Sequence, residues 1–192
     1  MSRYRGPRSK IIKRLGNLPG FTNKLKFKKS LIKTENPSKQ GSQYSIRLKT
    51  KQKLRYYYGI TERKLIQYIQ QAKRSKESTG KILLELLEMR LDNILYRANI
   101  TSTIPAARQL INHGFVYINN KKVTIPSYLC KPHLIISFSK EKKFKNLKNL
   151  HTPTHLSLNV DDVTIKVNNL VNVNEIGLKI NELFVIEYYS RS

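Results

Sequence analysis

The chain has 192 residues, with 37 Lys or Arg against 12 Asp or Glu, so its formal net charge is +25. A field of this strength repels itself unless a polyanion neutralises it, which makes a nucleic acid the expected partner. The single cysteine excludes a disulfide within the chain and a zinc site made of several cysteines. We expect no membrane association, because the sequence shows neither a stretch of about 20 apolar residues nor a basic helix with a large apolar face.

The positive charge is concentrated at the start of the chain. Residues 1–76 hold 22 Lys or Arg and only two acids, Glu35 and Glu62. Residues 1–33 hold no acid, and Gly and Pro residues interrupt any long helix there, while no apolar run of a secretory signal follows Met1. We therefore expect a basic arm that is largely disordered in the free protein and becomes ordered when its cations contact RNA. A solvated tail with no specific partner is the alternative.

A polar linker and a basic segment follow the arm. Residues 34–45 are rich in Ser, Asn, Gln and Pro without periodicity, which predicts a surface linker. The cations of the next segment precede Tyr56-Tyr57-Tyr58, and such a mixture is typical of surfaces that bind RNA. These cations are Arg47, Lys49, Lys51, Lys53 and Arg55. The three rings either stack on bases or, in our preferred reading for at least two of them, pack against the following helix with their hydroxyls in water.

The first helix with clear start signals is predicted over residues 62–73. Thr61 is a good amino cap, and Ile60 and Leu65 have the spacing of a hydrophobic staple. Leu65, Ile66 and Ile69 would form its buried face.

A second amphipathic helix is predicted to begin at about Lys81. Its apolar residues recur at helical spacing, at Leu83, Leu87, Leu91, Ile94 and Leu95, with charged residues largely between them. Asp92 falls among these charged residues, and we expect it to have a structural or RNA-orienting role in preference to a catalytic one.

A third helix has both of its ends written in the sequence. Ser102 or Thr103 can cap it, Pro105 is tolerated in its first turn, and Gly114 supplies a left-handed stop. Its apolar side consists of Ala107, Leu110 and Ile111, and its polar side of Arg108, Asn112 and His113. Arg108 has no acid within helical reach, which predicts a clamp that binds phosphates.

The remaining elements are predicted to be mainly strands. Val116 and Ile118 alternate with Phe115 and Tyr117, and Asn119-Asn120 can form a two-residue turn before residues 121–125. Residues 134–138 predict a third, buried strand, and residues 156–158 and 163–167 predict strands that extend the sheet. Asn181 can cap a last helix over residues 182–190.

Two further groups of residues have the composition of a site but not its spacing or setting. His151 and His155 lack a nearby Cys or carboxylate and are separated by a proline, so we expect an exposed loop and no metal site. The adjacent pair Asp161-Asp162 is interpreted as a solvated turn.

Three runs of the sequence carry a resemblance to a known family. They are residues 90–97 (RLDNILYR), 107–114 (ARQLINHG) and 123–128 (VTIPSY). In these runs the chain resembles the RNA-binding domain of the S-four (S4) family of small-subunit ribosomal proteins. Residues 52–63 resemble the same family, and residues 1–8 with 13–20 are similar to the start of its plastid-encoded members.

The resemblance implies an α+β fold. It consists of a helical lobe with a basic N-terminal arm and an inserted small RNA-binding domain, in which two helices pack on a small, mainly antiparallel sheet. A C-terminal helix returns to the helical lobe. The implied limits are residues 1–45 for the arm and linker, 46–86 completed by 178–192 for the helical lobe, and 87–177 for the RNA-binding domain with its C-terminal sheet extension.

The chain also departs from the family at a few positions. It lacks the zinc-binding cysteine cluster that some members carry near the amino end. Phe115 stands where a polar residue is common, Asn119-Asn120 replaces a more usual Asn-Gly, and His133 stands where many relatives have glycine. These departures affect individual contacts more than the fold.

The implied function is that of a structural constituent of the small ribosomal subunit. Such a protein binds small-subunit ribosomal RNA directly, nucleates subunit assembly and supports translational accuracy. Its implied partners are that RNA, neighbouring small-subunit proteins and mRNA near the entry site, and its implied location is the chloroplast stroma. A bacterial cytoplasm is the alternative location, because the bias toward Lys, Asn, Ile and Tyr suits any AT-rich genome.

An enzyme is the rival class, since similar modules occur on RNA-modifying enzymes. Those enzymes need a second catalytic domain, and the flanks here leave no room for one; a free-standing RNA-binding factor is a further alternative. We expect no catalytic residue, no metal and no cofactor. The residues expected to bind RNA are Arg3, Arg5, Arg8, Lys13, Arg14, Lys51, Lys53, Arg55, Arg90, Arg97, Arg108, Asn112, His113, Lys121 and Lys122.

Overall fold

The computed structural model describes residues 4, 6–22, 42–139, 152–172, 176 and 180–190. The chain divides into two compact units, Met1–Leu83 with Leu178–Ser192 and Leu84–Gly177. The first unit is helical, and the second combines short helices with a five-stranded sheet, so the expected α+β class is confirmed. Across the described ranges, no helix has the length and apolar character needed to span a membrane.

Part of the basic arm is folded, contrary to expectation. Helix α1 spans Arg8–Leu15 and ends at Gly16, whose φ of 83° lies in the left-handed region. Its residues Ile12 and Leu15 are buried, as is Phe21 after it. The Gly and Pro residues that prevent a long helix leave room for a two-turn one, and burial of its apolar side chains stabilises it. Residues 23–33 of the arm lie outside the described residues.

Helix α2, Gln43–Tyr57, was not predicted and begins inside the expected linker. The Ser45 N–H donates to the Ser42 side chain, which caps the helix. Leu54 and Tyr57 are buried, whereas four of the five cations of the helix are only partly buried and Lys51 is buried. Cations at every second position, from Arg47 to Arg55, made the helical spacing of the buried residues hard to recognise in the sequence.

Helix α3, Glu62–Lys73, has the predicted bounds. Ile60 and Leu65 are both buried, as the predicted hydrophobic staple requires. The predicted buried face was wrong at Ile66, which is 37% exposed; Tyr68 is buried instead. Of the three consecutive tyrosines, Tyr57 and Tyr58 are buried, so the expected burial of two rings is confirmed. Their hydroxyls are buried as well, so the expectation that these lie in water was wrong.

The predicted amphipathic helix from Lys81 is broken into two. Helix α4 spans Thr79–Glu88 and contains the division between the units, and helix α5 spans Leu91–Arg97. Between them Arg90 is extended, with φ −72° and ψ 140°, and forms a bridge with Leu129. The Cys130 N–H donates to the Met89 carbonyl at 2.9 Å, and the Leu91 N–H donates to the Tyr128 carbonyl at 2.9 Å. Because these backbone groups pair with another segment, the helix cannot continue through them.

Helix α6, Ile104–Asn112, follows the predicted signals. The Ala106 N–H donates to the Thr103 side chain, so Thr103 is the cap of the two candidates. Gly114 ends the helix with φ 77°. The two following strands are β1, Val116–Ile118, and β2, Lys121–Lys122. Asn119 and Asn120 join them with φ of 46° and 64°, which confirms the predicted two-residue turn.

The sheet is antiparallel, with the order β2-β1-β3-β5-β4. Strands β3, Ile135–Phe138, β4, Leu156–Asn159, and β5, Thr164–Val167, confirm that strands form in this part of the chain. The predicted burial of β3 was wrong in part: Ile136 is buried, but Ile135 is 48% exposed because alternate residues point to the face away from the core. His133, before β3, has φ 68°, a conformation that glycine adopts more freely. The sheet buries side chains such as Val116, Ile136 and Ile165 against helices α5 and α6.

Two loop predictions had different outcomes. The exposed loop predicted at His155 was wrong, because this residue is buried directly before β4, whose first residue, Leu156, belongs to the core. His151 lies outside the described residues. Asp161 and Asp162 are both exposed in the turn between β4 and β5, as expected.

Helix α7, Glu182–Ser190, completes the first unit. The Leu183 N–H donates to the Asn181 side chain at 3.0 Å, so the predicted cap is confirmed. The helix packs against α2 within this unit and buries Val185.

Candidate RNA interface

Asp92 joins two of the arginines that were expected to bind RNA. Its Oδ1 accepts from Arg90 Nε at 3.0 Å, and its Oδ2 accepts from Arg90 Nη2 at 2.9 Å and from Arg108 Nε at 2.7 Å. Arg90 is 2% exposed and Arg108 is 7% exposed, and Asp92 is fully buried. The three side chains tie α6 to the start of α5 and to the extended segment at Arg90.

The expected phosphate clamp at Arg108 therefore does not match the geometry. Arg108 lies on the buried side of α6 and faces an acid that is 16 residues away in sequence. A buried carboxylate requires cationic partners because it has lost its hydration, so Asp92 holds both arginines inside the unit. Helical spacing alone showed only that no acid lies on the same helix.

A second buried carboxylate engages Arg97. Arg97 Nε and Nη2 donate to the two oxygens of Glu88 at 3.0 and 2.6 Å, a bidentate ion pair. Asn93 Nδ2 donates to Glu88 Oε2 at 2.5 Å and to the Glu88 carbonyl at 3.0 Å. Glu88 thus anchors α5 to the end of α4, and half-buried Arg97 belongs to this anchor.

The remaining candidates of the second unit form an exposed surface. Asn112 and His113 end α6, and Lys121 and Lys122 form β2; all four side chains are exposed. We name these residues the hairpin patch. A Cβ atom at Gly114 would collide with Lys122 Cε, so the lysine stem lies directly across this glycine. Gly114 thus allows both the left-handed helix end and the close approach of Lys122 to the end of α6.

Asn119 supports the hairpin in a way that the sequence did not indicate. Its N–H donates to the Ile135 carbonyl at 2.9 Å, and its side-chain oxygen accepts from the Ile135 N–H at 3.0 Å. The turn is therefore fixed to β3, which holds the neighbouring lysines on a rigid element. The Asn119-Asn120 pair predicted the turn from the sequence, but it did not predict the two hydrogen bonds between Asn119 and Ile135.

In the first unit, α1 carries three of the expected RNA-binding cations. Arg8 Nη1 donates to the Phe21 carbonyl at 3.1 Å, and its guanidinium lies 5.4 Å from the centre of the Phe21 ring. Arg8 thus folds the arm on itself. Lys13 and Arg14 are exposed in the last turn of the helix. Arg3 and Arg5 lie outside the described residues.

Glu62 joins the other candidates of this unit. Its two oxygens accept from Lys51 Nζ at 2.8 Å and from Arg55 Nη1 at 3.3 Å, and the Tyr189 hydroxyl donates to it as well. Lys51 is 6% exposed, and its ammonium lies 4.2 Å from the centre of the Tyr188 ring. Lys51 and Arg55 are therefore structural contacts between α2, α3 and α7, while Lys53 is half-buried.

The protonation of this cluster follows from its contacts. Burial alone would raise the pKa of Glu62, but hydrogen bonds from Lys51 and Tyr189 and the nearby cationic charges outweigh it, so the pKa lies below its ordinary value. Burial and the Glu62 carboxylate raise the pKa of the Tyr189 hydroxyl. The carboxylate and the phenol therefore stay in the forms that bind each other at neutral pH.

Two kinds of catalytic group were considered among the described residues: a nucleophilic thiol and a cluster of metal ligands. Burial raises the pKa of the Cys130 thiol to about 12, so it is not a nucleophile at neutral pH. Within the described ranges, no cluster of three or more His, Cys, Asp or Glu side chains is arranged to hold a metal ion.

Comparisons with known proteins agree along the whole chain. The family described as "S4 domain" matches residues 89–136, and the family described as "Ribosomal protein S4/S9 N-terminal domain" matches residues 3–88. A protein named "Small ribosomal subunit protein uS4c" from Marchantia polymorpha is 52% identical over 200 residues, covering 100% of this chain and 99% of the relative. Proteins of the same name from Chlorokybus atmophyticus and Nicotiana tabacum are 53% identical over 203 residues and 51% identical over 199 residues, with the same coverage.

Proposed function

Because the chain belongs to the S4 family of ribosomal proteins, we propose that it is a non-enzymatic structural constituent of the small ribosomal subunit that binds small-subunit ribosomal RNA directly. The observation that carries this proposal is the similarity over the full chain to proteins named as small-subunit constituents. The net charge of +25 and the exposed cations on folded elements supply the chemistry that RNA binding needs.

We propose that the RNA contacts divide between two kinds of cation. Exposed groups contact phosphates and 2′-hydroxyls, since A-form RNA is recognised mainly by shape and backbone. Lys13, Arg14 and the hairpin patch are exposed, and we add half-buried Lys53 to this group. Arg3 and Arg5, which lie outside the described residues, stay proposed RNA contacts. The arginines at 8, 55, 90, 97 and 108, together with Lys51, act mainly by shaping the surfaces that carry these groups.

We further propose that residues 87–177 form the RNA-binding domain, with residues 46–86 and 178–192 as the helical lobe and residues 1–45 as arm and linker. The division of the chain into two compact units supports this arrangement. The proposed role includes early binding during subunit assembly and support of decoding accuracy. Neighbouring small-subunit proteins and mRNA near the entry site are the proposed further partners, and the chloroplast is the proposed compartment, in keeping with the uS4c relatives.

The test is binding of the purified full-length chain to small-subunit ribosomal RNA, with large-subunit ribosomal RNA as the competitor. We expect selective binding, with crosslinks from the hairpin patch mapped to a few adjacent helices. Equal affinity for both RNAs would contradict the proposal. Turnover in an RNA-modification assay would support the rival reading of an enzyme.

A paired substitution tests the hairpin patch. Replacing Lys121 and Lys122 by Ala removes two exposed phosphate contacts and should weaken binding by about 1 to 3 kcal/mol. The control is Lys73→Ala with Lys76→Ala, which removes the same charge from exposed positions outside the proposed surface. If both pairs weakened binding equally, the patch would have no special role.

A further inference from the structure

The five-stranded sheet has a second face, of which the proposed interface includes only Lys122. Val116, Ile118, Ile136, Ile165 and Val167 point to one face and are buried in the core. Successive side chains of a strand point to opposite faces, so the residues between them point away from the core. We name these residues the outer sheet face: Tyr117, Lys122, Ile135, Ser137, Ser157, Asn159, Thr164 and Lys166.

The cross-strand register makes the outer sheet face one continuous surface. Tyr117 pairs with Lys122 on one side and with Ser137 on the other. Lys166 pairs with Ile135 and with Ser157. Neighbouring strands lie about 4.8 Å apart, so the three steps from β2 to β5 span about 14 Å, and the two-residue offset from Ser137 to Ile135 adds about 7 Å along the strands. The backbones of Lys122 and Lys166 are therefore roughly 16 Å apart, and Tyr117 lies on a strand between them.

The chemistry of this face is that of a nucleic-acid surface. Its eight side chains, all on described strands, include two lysines and no carboxylate. The hydroxyls of Ser and Thr, together with Tyr117, offer hydrogen bonds to phosphates and 2′-hydroxyls and one ring for stacking. The nearest acids along the chain, Asp161 and Asp162, lie in the turn between β4 and β5, at the edge of the sheet. Asp162 Oδ2 accepts from Asn159 Nδ2 at 3.3 Å, so a carboxylate borders the face at this corner, away from Lys122 and Tyr117.

A protein partner fits the same face less well. The buried centre of a protein–protein interface is apolar and rich in aromatic residues. Here Ile135 is the one exposed large aliphatic side chain of the face, and it is surrounded by lysine, serine and asparagine. The face also continues from the hairpin patch, because Lys122 belongs to both.

We propose that the outer sheet face is a second RNA-binding surface that holds the sugar–phosphate backbone of a strand leading away from the hairpin patch. Lys166 binds phosphate, Ser137 and Ser157 bind backbone oxygens, and Tyr117 stacks on a base or ribose. This inference rests on the proposed binding of ribosomal RNA. Within the second unit, it adds β3, β4 and β5 to a proposed surface that otherwise consists of the end of α6 and the hairpin.

The test compares charge reversals in the full-length chain. Lys166→Glu is expected to weaken binding to small-subunit ribosomal RNA at least tenfold, because it places a carboxylate against phosphates. Lys131→Glu is the matched control, an exposed lysine of the same unit that is outside the strands, and it should change affinity less than threefold. Lys166→Ala should also lower the slope of log affinity against log salt by roughly one.

The outcomes separate the two proposals. Failure of the wild-type chain to bind the RNA would overturn the proposed function, whereas normal wild-type binding with equal effects of both reversals would overturn only the outer sheet face. Unchanged RNA affinity of Lys166→Glu, with Lys166 protected from acetylation in assembled subunits, would show that a protein covers the face and would also overturn it. Circular dichroism of each variant establishes that the exposed substitutions leave the fold intact.

Discussion

At the scale of single residues, the charged side chains are of two kinds: some form buried ion pairs that stabilise the fold, and others are exposed at the surface. Glu88 and Asp92 are buried acids, and each is neutralised by arginines that a basic composition supplies in excess. The sequence singled out these arginines as candidates for RNA binding but did not reveal their acidic partners. Asp92 and Arg108, for example, belong to different helices, so their spacing in the sequence does not predict that they meet. Lys121 and Lys122 of the hairpin, in contrast, lie exposed at the surface.

Asp92→Asn tests the structural role of the buried cluster. It removes the charge that compensates Arg90 and Arg108 inside the unit, so the free energy of unfolding should fall by about 3 kcal/mol or more. Urea denaturation followed by circular dichroism measures this change. Asp161→Asn, at an exposed position, is the control and should stay within about 0.5 kcal/mol of the wild type. A similarly small effect at Asp92 would show that the cluster is dispensable.

At the scale of elements, local signals predicted the pieces whose ends depend on local chemistry. Helix α3, the Thr103 cap, the Gly114 stop and the Asn119-Asn120 turn all follow from nearby side chains. The break between α4 and α5 was missed because its cause is the pairing of Met89 and Leu91 with residues 128–130, far along the chain. Helix α2 was missed because α7, at the other end of the sequence, provides its packing surface.

The hairpin turn gives a prediction for Asn120. Its φ of 64° is tolerated by Asn and is free of strain for Gly. Asn120→Ala should lower the free energy of unfolding by about 1 kcal/mol, whereas Asn120→Gly should leave it nearly unchanged. Thermal unfolding of the two variants beside the wild type measures the difference. Equal stability of the Ala and Gly variants would mean that the turn is not formed in solution.

Glu62 predicts how the helical unit responds to acid. Its pKa is lowered below the ordinary 4.5 in the folded protein, so its stabilising effect is complete above that value and is lost as the pH falls through the folded pKa. Glu62→Gln should therefore cost about 1 kcal/mol at pH 7, a modest value because about a third of the side chain is open to water. The difference from wild type should shrink below pH 4.5.

Urea denaturation at pH 7 and at pH 3 provides the measurement. Glu77→Gln, which removes an exposed acid paired with Lys81, is the control and should show little effect at either pH. A Glu62→Gln deficit that stayed the same at both values would contradict the lowered pKa.

At the scale of the whole molecule, a folded basic protein binds RNA through the shape and the charge of its surface. The family, the α+β class and the RNA partner were predictable from sequence, because motifs and net charge can be identified without knowing how the elements pack. The assignment of each arginine to core or surface was not, because it depends on contacts between elements. The structure therefore adds the proposed distinction between cations that stabilise the fold and cations that contact RNA.

The most direct measurement is the salt dependence of affinity between the wild-type chain and small-subunit ribosomal RNA. If about eight phosphates are neutralised, log affinity should fall linearly with log salt with a slope of roughly −6 to −7. A slope near zero would contradict the account, since it would mean that the positive surface of the protein is not what holds the RNA.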